Sequence, residues 1–257
     1  MKDSHGQNRD KAANPARGER ERAGGVILGL DTATAVTAVA TTRGGELIDE
    51  RAVGGGGERP PHQAALLESV EAVADAAGGW DTVEAIAVGI GPGTFTGLRI
   101  GVATGRALAQ ALTKPLVPVV SLAALARGIG HGATGGQRPR LAMIDARRGE
   151  AFAALYDESG APIREPFVAP PEALLERLSG LDSSPLAAGD GALRFRLQLE
   201  AAGVEVLAED DPAHRLSARH TCRIAETGSR VRPEDLEPLY LRRPDAEIWR
   251  ERIRDGN

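Results

Sequence analysis

Gly89-Ile90-Gly91-Pro92-Gly93-Thr94-Phe95-Thr96-Gly97-Leu98-Arg99 stands between a short apolar run, residues 83–88, and a stretch rich in small and apolar residues that ends at Leu112. The apolar run reads as a buried strand and Gly91-Pro92-Gly93 as a turn. A helix is then expected over residues 97–112, stopped by Pro115. Strand, glycine turn and helix in succession mark an α/β chain. The loop is not a Walker loop, because no Gly-Lys-Ser/Thr closes it. Neither in-frame reading supplies the third glycine of a dinucleotide fingerprint. Two readings stay open. The amides could face an anion at the positive helix end, with Arg99 as a fixed cation, or glycine serves a tight turn for backbone reasons.

Working outward, residues 26–31 form an apolar run ending in Asp31, and residues 36–42 are rich in β-branched types. With Arg43-Gly44-Gly45 as a turn signal, they predict two strands and a hairpin into a third over 46–53. The period then changes. Leu66, Val70, Val73 and Ala77 recur at helical spacing over 62–77, and Gly78-Gly79 ends the helix. Beyond the loop come a strand over 116–120 and a short helix over 121–127, capped by Ser121. After the glycine-rich link 128–136 a second series begins. Strands are expected over 140–145, 151–156, 162–168, 186–188 and 204–207. Helices are expected over 170–178, 192–201 and 213–227, with a strand-like Pro238-Leu-Tyr-Leu near the end. The expected domains are a disordered tail over 1–25, a first domain over 26–128 and a second over 129–257.

Composition excludes several classes. The chain has 257 residues, one cysteine and a net charge of −5. Cys222 alone allows neither an internal disulfide framework nor a four-cysteine zinc site. The acidic balance gives no overall pull toward nucleic acid. The longest apolar stretch, 116–126, is about half of the ~20 residues that cross a bilayer. The first 24 residues lack the apolar centre of a secretory signal, so a cytoplasmic location is expected. Only three lysines occur, Lys2, Lys11 and Lys114. The excess of arginine, alanine and glycine is most simply a coding bias.

Three places could carry chemistry. Asp31-Thr32-Ala33-Thr34, at the end of the first strand, could hold a magnesium–phosphate group, or Asp31 could simply cap its own turn. With the glycine loop it gives a candidate nucleotide site of Asp31, Thr32, Gly91, Gly93 and Thr94. The third place is the helix after the loop, where Gly97, Gly101, Gly105 and Ala109 share one ridge. An interior glycine costs about 0.8–1.0 kcal/mol against alanine, so the ridge should serve close packing. The neighbour is either a partner's helix or the chain's own sheet. The five histidines show no metal spacing, and Ser121 and Cys222 lack a nucleophile's setting. Asp145-Ala-Arg147-Arg148-Gly-Glu150 is a polar turn between strands, able to recognise an anion or simply solvated.

Four stretches together resemble the bacterial TsaB, or YeaZ, family of tRNA threonylcarbamoyladenosine biosynthesis proteins. They are residues 28–34, 89–101, 144–150 and 237–242, in the family's order. The resemblance spans about Val26 to Trp249. It implies an actin-like ATPase (ASKHA) fold of two ribonuclease-H-like domains, each a mixed sheet flanked by helices. It further implies a non-catalytic subunit that pairs with its paralogue TsaD, joins TsaE in a complex, and meets tRNA through that complex. TsaC supplies the donor. The paralogue carries a metal-binding histidine pair just after the strand that follows the shared helix. Ser121 and Leu125 stand at those places here, and leucine cannot ligate a metal.

The family's pairing helices correspond to residues 62–77 and 97–112. They predict a partner interface of Leu66, Val70, Val73, Gly97, Gly101, Gly105 and Ala109. No cofactor is expected to bind tightly, and any ATP or ADP with magnesium is expected at a composite site in the complex. A homodimer of the free chain is left open. The rival is an independent kinase or ATPase of the same fold, with Gly189-Asp190-Gly191 as a faint second phosphate loop. Two departures stand out: the tail before Val26, and a loop over 54–61 without the usual Glu before His62-Gln63.

Overall fold

The computed structural model describes residues 25–54, 62–129 and 138–242. Apart from Gly25, the expected tail lies outside the described residues, as does most of the 54–61 loop. Strands β1 (Val26–Asp31), β2 (Val36–Arg43) and β3 (Glu46–Gly54) form an antiparallel meander. Helix α1 (His62–Ala76) leads to β4 (Val83–Gly91), which pairs parallel with β1. Helix α2 (Phe95–Leu112) leads to β5 (Leu116–Val120), parallel to β4, and α3 (Ser121–Ile129) follows. The sheet order is β3-β2-β1-β4-β5.

The second half repeats this plan. Strands β6 (Arg140–Arg147), β7 (Glu150–Tyr156) and β8 (Pro162–Ala169) form the meander, and α4 (Pro171–Leu178) crosses to β9 (Leu186–Ala188). Short helices α5 (Asp190–Arg194) and α6 (Arg196–Ala201) lead to β10 (Glu205–Val206), and α7 (Ala218–Ala225) comes last. The order β10-β9-β6-β7-β8 mirrors the first sheet. Two mixed five-stranded sheets of the ribonuclease-H plan, flanked by helices, make this the actin-like α/β fold.

Three apolar layers hold the halves together. Leu66, Val70, Val73, Val102 and Ala109 close the outer face of the first sheet. Leu141, Met143, Leu174 and Leu199 close the outer face of the second. Between the sheets lie Val117, Leu122, Leu125, Ile144 and Phe152. In that middle layer α3 packs on both sheets, whereas α7, from the second half, packs back on β1 and β2. Leu236 is likewise buried in the first core, and the Leu239 amide donates to Ile90 O at 2.7 Å. The contiguous division at residue 128 therefore does not follow the packing. It falls in the last turn of α3, and the chain's end returns to the first sheet.

Several boundaries differ for local reasons. The helix expected from Gly97 starts at Phe95 and ends on Thr113, which adopts the left-handed conformation at φ 54°. The helix expected over 192–201 breaks at Phe195. The one expected over 213–227 divides into a single 3-10 turn, capped by Asp211 on the Ala213 amide, and α7. Pro238 to Leu241 forms no strand, and only the single bond from Leu239 to Ile90 joins it to β4 among the described residues.

Candidate functional site

Asp31 ends β1 in the middle of the first sheet and is fully buried. The Ala33 amide donates to its Oδ1 at 2.9 Å. Burial pushes the carboxyl up to about 6, partly offset by hydrogen bonds from the Ala33 amide and Ser121. Ser121 opens α3, and its Oγ accepts the Gly91 amide at 3.1 Å. Gly89 is glycine because a Cβ there would lie within 2.1 Å of Asp31 Oδ2. Asp31, Gly89, Gly91 and Ser121 thus form one buried junction of β1, β4 and α3.

The glycine loop is docked on the turn after β1. The Thr94 amide donates to Ala33 O at 2.8 Å, and the Thr32 hydroxyl donates to Gly97 O at 2.7 Å. A Cβ on Gly93 would meet Ala33 O at 2.2 Å, and one on Gly97 would meet Thr32 O at 2.1 Å. The nucleotide cradle is expected of Asp31, Thr32, Gly91, Gly93 and Thr94. The structure brings these residues together, with the Thr94 amide spent on Ala33 O and the Gly91 amide on Ser121 Oγ. Asp31 does cap its turn, as the second reading had it. Gly189-Asp190-Gly191 is occupied in the same way. The Gly189 amide donates to His214 Nδ1 and Asp190 Oδ1 accepts the Asp145 amide.

The ridge and the apolar face of α1 also turn inward. Leu66, Val70, Val73 and Ala109 are at most 1% exposed. A Cβ on Gly101 would lie 2.3 Å from Thr32 Oγ1, and one on Gly105 would lie 2.5 Å from Val88 Cγ2. The neighbour of the ridge is the chain's own sheet. As a partner surface, the set Leu66, Val70, Val73, Gly97, Gly101, Gly105 and Ala109 is therefore corrected. Their helices instead present Leu67, 56% exposed, and the exposed Ala103, Ala107 and Gln110.

Between the turn after β1 and the second sheet lies a cavity of about 280 Å³, where Thr34 and Val36 face Ile144 and Leu193. Asp190, Glu209, Asp210 and Asp211 outnumber Arg215 and His214 along its wall. His214 has both ring nitrogens against backbone groups. It accepts the Gly189 amide at Nδ1, and Nε2 faces Ala208 O at 2.9 Å. Such a wall repels a bare phosphate. Cys222 is fully buried between Ile27 O and Ala40 O, and burial pushes its thiol up to about 12. It is no nucleophile. Among the described residues no three His, Cys, Asp or Glu side chains are grouped to hold a metal ion. No helix among them is long and apolar enough to cross a membrane.

Sequence reasoning missed two contributors. The sequence presents Ser121 as a helix cap without a nucleophile's setting and as the counterpart of a metal-binding histidine, and it does not single out Arg194. Both act across the fold, on Gly91 and Asp145, so no local spacing signals them.

The family model described as TsaD: tRNA N6-adenosine threonylcarbamoyltransferase matches residues 59–207. The tRNA threonylcarbamoyladenosine biosynthesis protein TsaB of Escherichia coli K12 is 32% identical over 226 residues, covering 84% of this chain and 94% of that protein. The solved structure of YeaZ from Pseudomonas aeruginosa aligns with a TM-score of 0.69 at 30% identity, covering 84% of this chain and all of that one. A second solved protein from Pseudomonas aeruginosa, described as uncharacterized and similar to peptidase YEAZ, gives a TM-score of 0.71 at 30% identity. It covers 85% of this chain and all of that one.

Proposed function

The chain belongs to the TsaB (YeaZ) family, and on that premise we propose that it takes part in tRNA threonylcarbamoyladenosine synthesis as a non-catalytic subunit. In this reading it pairs with a TsaD-type transferase, is joined by TsaE, and meets tRNA through the complex. One observation carries the reading. Where the resemblance puts the transferase's two histidines, this chain has Ser121 and Leu125, and both are consumed by packing. Ser121 Oγ accepts the Gly91 amide, and Leu125 is 2% exposed in the core between the sheets. The committed Gly91 and Thr94 amides of the glycine loop and the acidic wall of the cavity give an independent kinase little to hold a phosphate with.

The partner would rest on the outward faces of α1 and α2, around Leu67, Ala103 and Ala107. Small side chains there let another helix approach closely, and Leu67 supplies an apolar contact. The test is reconstitution of tRNA modification with TsaD, TsaE and the donor, with and without this chain. Modification that needs the chain, together with its capture by TsaD, supports the reading. Full modification without it refutes the reading. Magnesium-dependent ATP hydrolysis by the purified chain alone favours the kinase instead.

A further inference from the structure

The hairpin between β6 and β7 holds an arrangement that a solvated turn does not need. Its two-residue loop is Arg148-Gly149, with φ of 54° and 79°, and Arg147 before it has φ 62°. A loop with both residues left-handed is best served by Asn-Gly or Gly-Gly. Arginine there keeps its Cβ against the carbonyl. Two consecutive non-glycine residues held in this region point to a role beyond chain reversal.

Side-chain placement supplies a role. At the bulge, the Arg147 amide donates to Asp145 Oδ1 at 2.8 Å and its guanidinium reaches Oδ2 at 3.2 Å. Arg194, from α5, reaches the same Oδ2 at 2.8 Å. The Asp145 side chain is only 10% exposed, while those of Arg147 and Arg194 are 71% and 43% exposed. One nearly buried carboxylate thus anchors two guanidiniums from different elements, and their remaining N–H groups face solvent. Each guanidinium has five donors, more than one carboxylate oxygen can use. The neighbouring acids are already engaged. Glu150 pairs with Arg242, which also donates to Ala146 O at 2.9 Å, and Asp190 Oδ1 accepts the Asp145 amide.

We propose that Arg147 and Arg194, fixed on Asp145 at the β6–β7 hairpin, bind a phosphate group carried by a nucleotide or by an RNA backbone. Guanidiniums held in advance lose little freedom on binding, and their planar forks match the oxygens of a phosphate. The inference rests on the hairpin and α5 and is independent of the partner role.

The full chain is titrated at low salt with inorganic phosphate, AMP and a short single-stranded RNA, followed by calorimetry and amide shifts. Arg147→Gln and Arg194→Gln should each weaken binding roughly tenfold or more. Arg147→Lys should recover part of the loss, and Arg164→Gln, on exposed β8, should change nothing. Binding of AMP without RNA identifies a nucleotide phosphate. Tighter RNA binding, with a salt slope reduced by Arg147→Gln, identifies the backbone. If Arg147→Gln does not fold, Arg147→Gly, which suits the backbone, takes its place. Binding of none of the three probes, undiminished binding by the double variant, or an equal loss in Arg164→Gln overturns the proposal.

Discussion

Gly101 lies directly against Thr32: a methyl group on its α-carbon would stand 2.3 Å from the Thr32 hydroxyl. That hydroxyl is committed to Gly97 O, so moving it breaks the contact that seats α2 on the turn after β1. Gly101→Ala would gain about 1 kcal/mol in helix propensity. Overpacking against a well-ordered neighbour costs roughly 1–3 kcal/mol, so the net effect is destabilising. The same holds for Gly105→Ala against Val88. Denaturant titration checks it, and a variant more stable than the parent would refute close packing as the reason for the ridge.

Ala103→Leu and Ala107→Leu, on the exposed side of the same helix, should leave the unfolding midpoint nearly unchanged, within about 0.5 kcal/mol for surface changes. They should weaken binding to a TsaD-type partner, and Leu67→Glu should do the same. A pull-down with each variant separates this outer surface from the inner ridge.

Stability should depend on pH through Asp31. Its folded pKa of about 6 lies above the ordinary value of 3.8, so the folded state binds the proton more tightly. The resulting stability is complete below about pH 4 and is lost as pH rises through about 6. The penalty above that is on the order of 3 kcal/mol. Asp31→Asn removes the titrating group and should flatten this part of the profile, raising stability at neutral pH. Thermal melts of both proteins from pH 4 to 8 would show it.

Arg148 sits at φ 54° in a turn position suited to asparagine. Arg148→Asn should therefore stabilise the protein by about 1 kcal/mol. A fall in melting temperature would show that the arginine side chain contributes more than its backbone costs.

Cys222 should resist alkylation in the folded protein at neutral pH, because its thiol is buried and pushed up to about 12. Gly29→Ala should destabilise by roughly 1–3 kcal/mol, since its Cβ would meet Cys222 Sγ at 2.5 Å. The same variant should expose the thiol, measurable as faster labelling.

The sequence by itself determined the order of elements, the α/β class and the family. These depend on local signals: apolar runs for β1, β4 and β5, helical spacing at Leu66, Val70 and Val73, and turns at Gly44 and Gly91. It also joined Asp31 and the glycine loop as one candidate site. Only the tertiary structure decided what they do there. Whether Gly93 and Gly97 open toward a phosphate or close on Ala33 and Thr32 depends on a strand sixty residues away. Whether the glycine ridge faces a partner or a sheet depends on the side from which β1 and β4 approach α2. The pairing of Ser121 with Gly91, the return of α7 to the first sheet and the meeting of Arg147 with Arg194 on Asp145 are likewise long-range. Propensity and periodicity act over a few residues. The direction a side chain faces, and what already occupies the space before it, is set by packing between segments that the sequence does not list side by side.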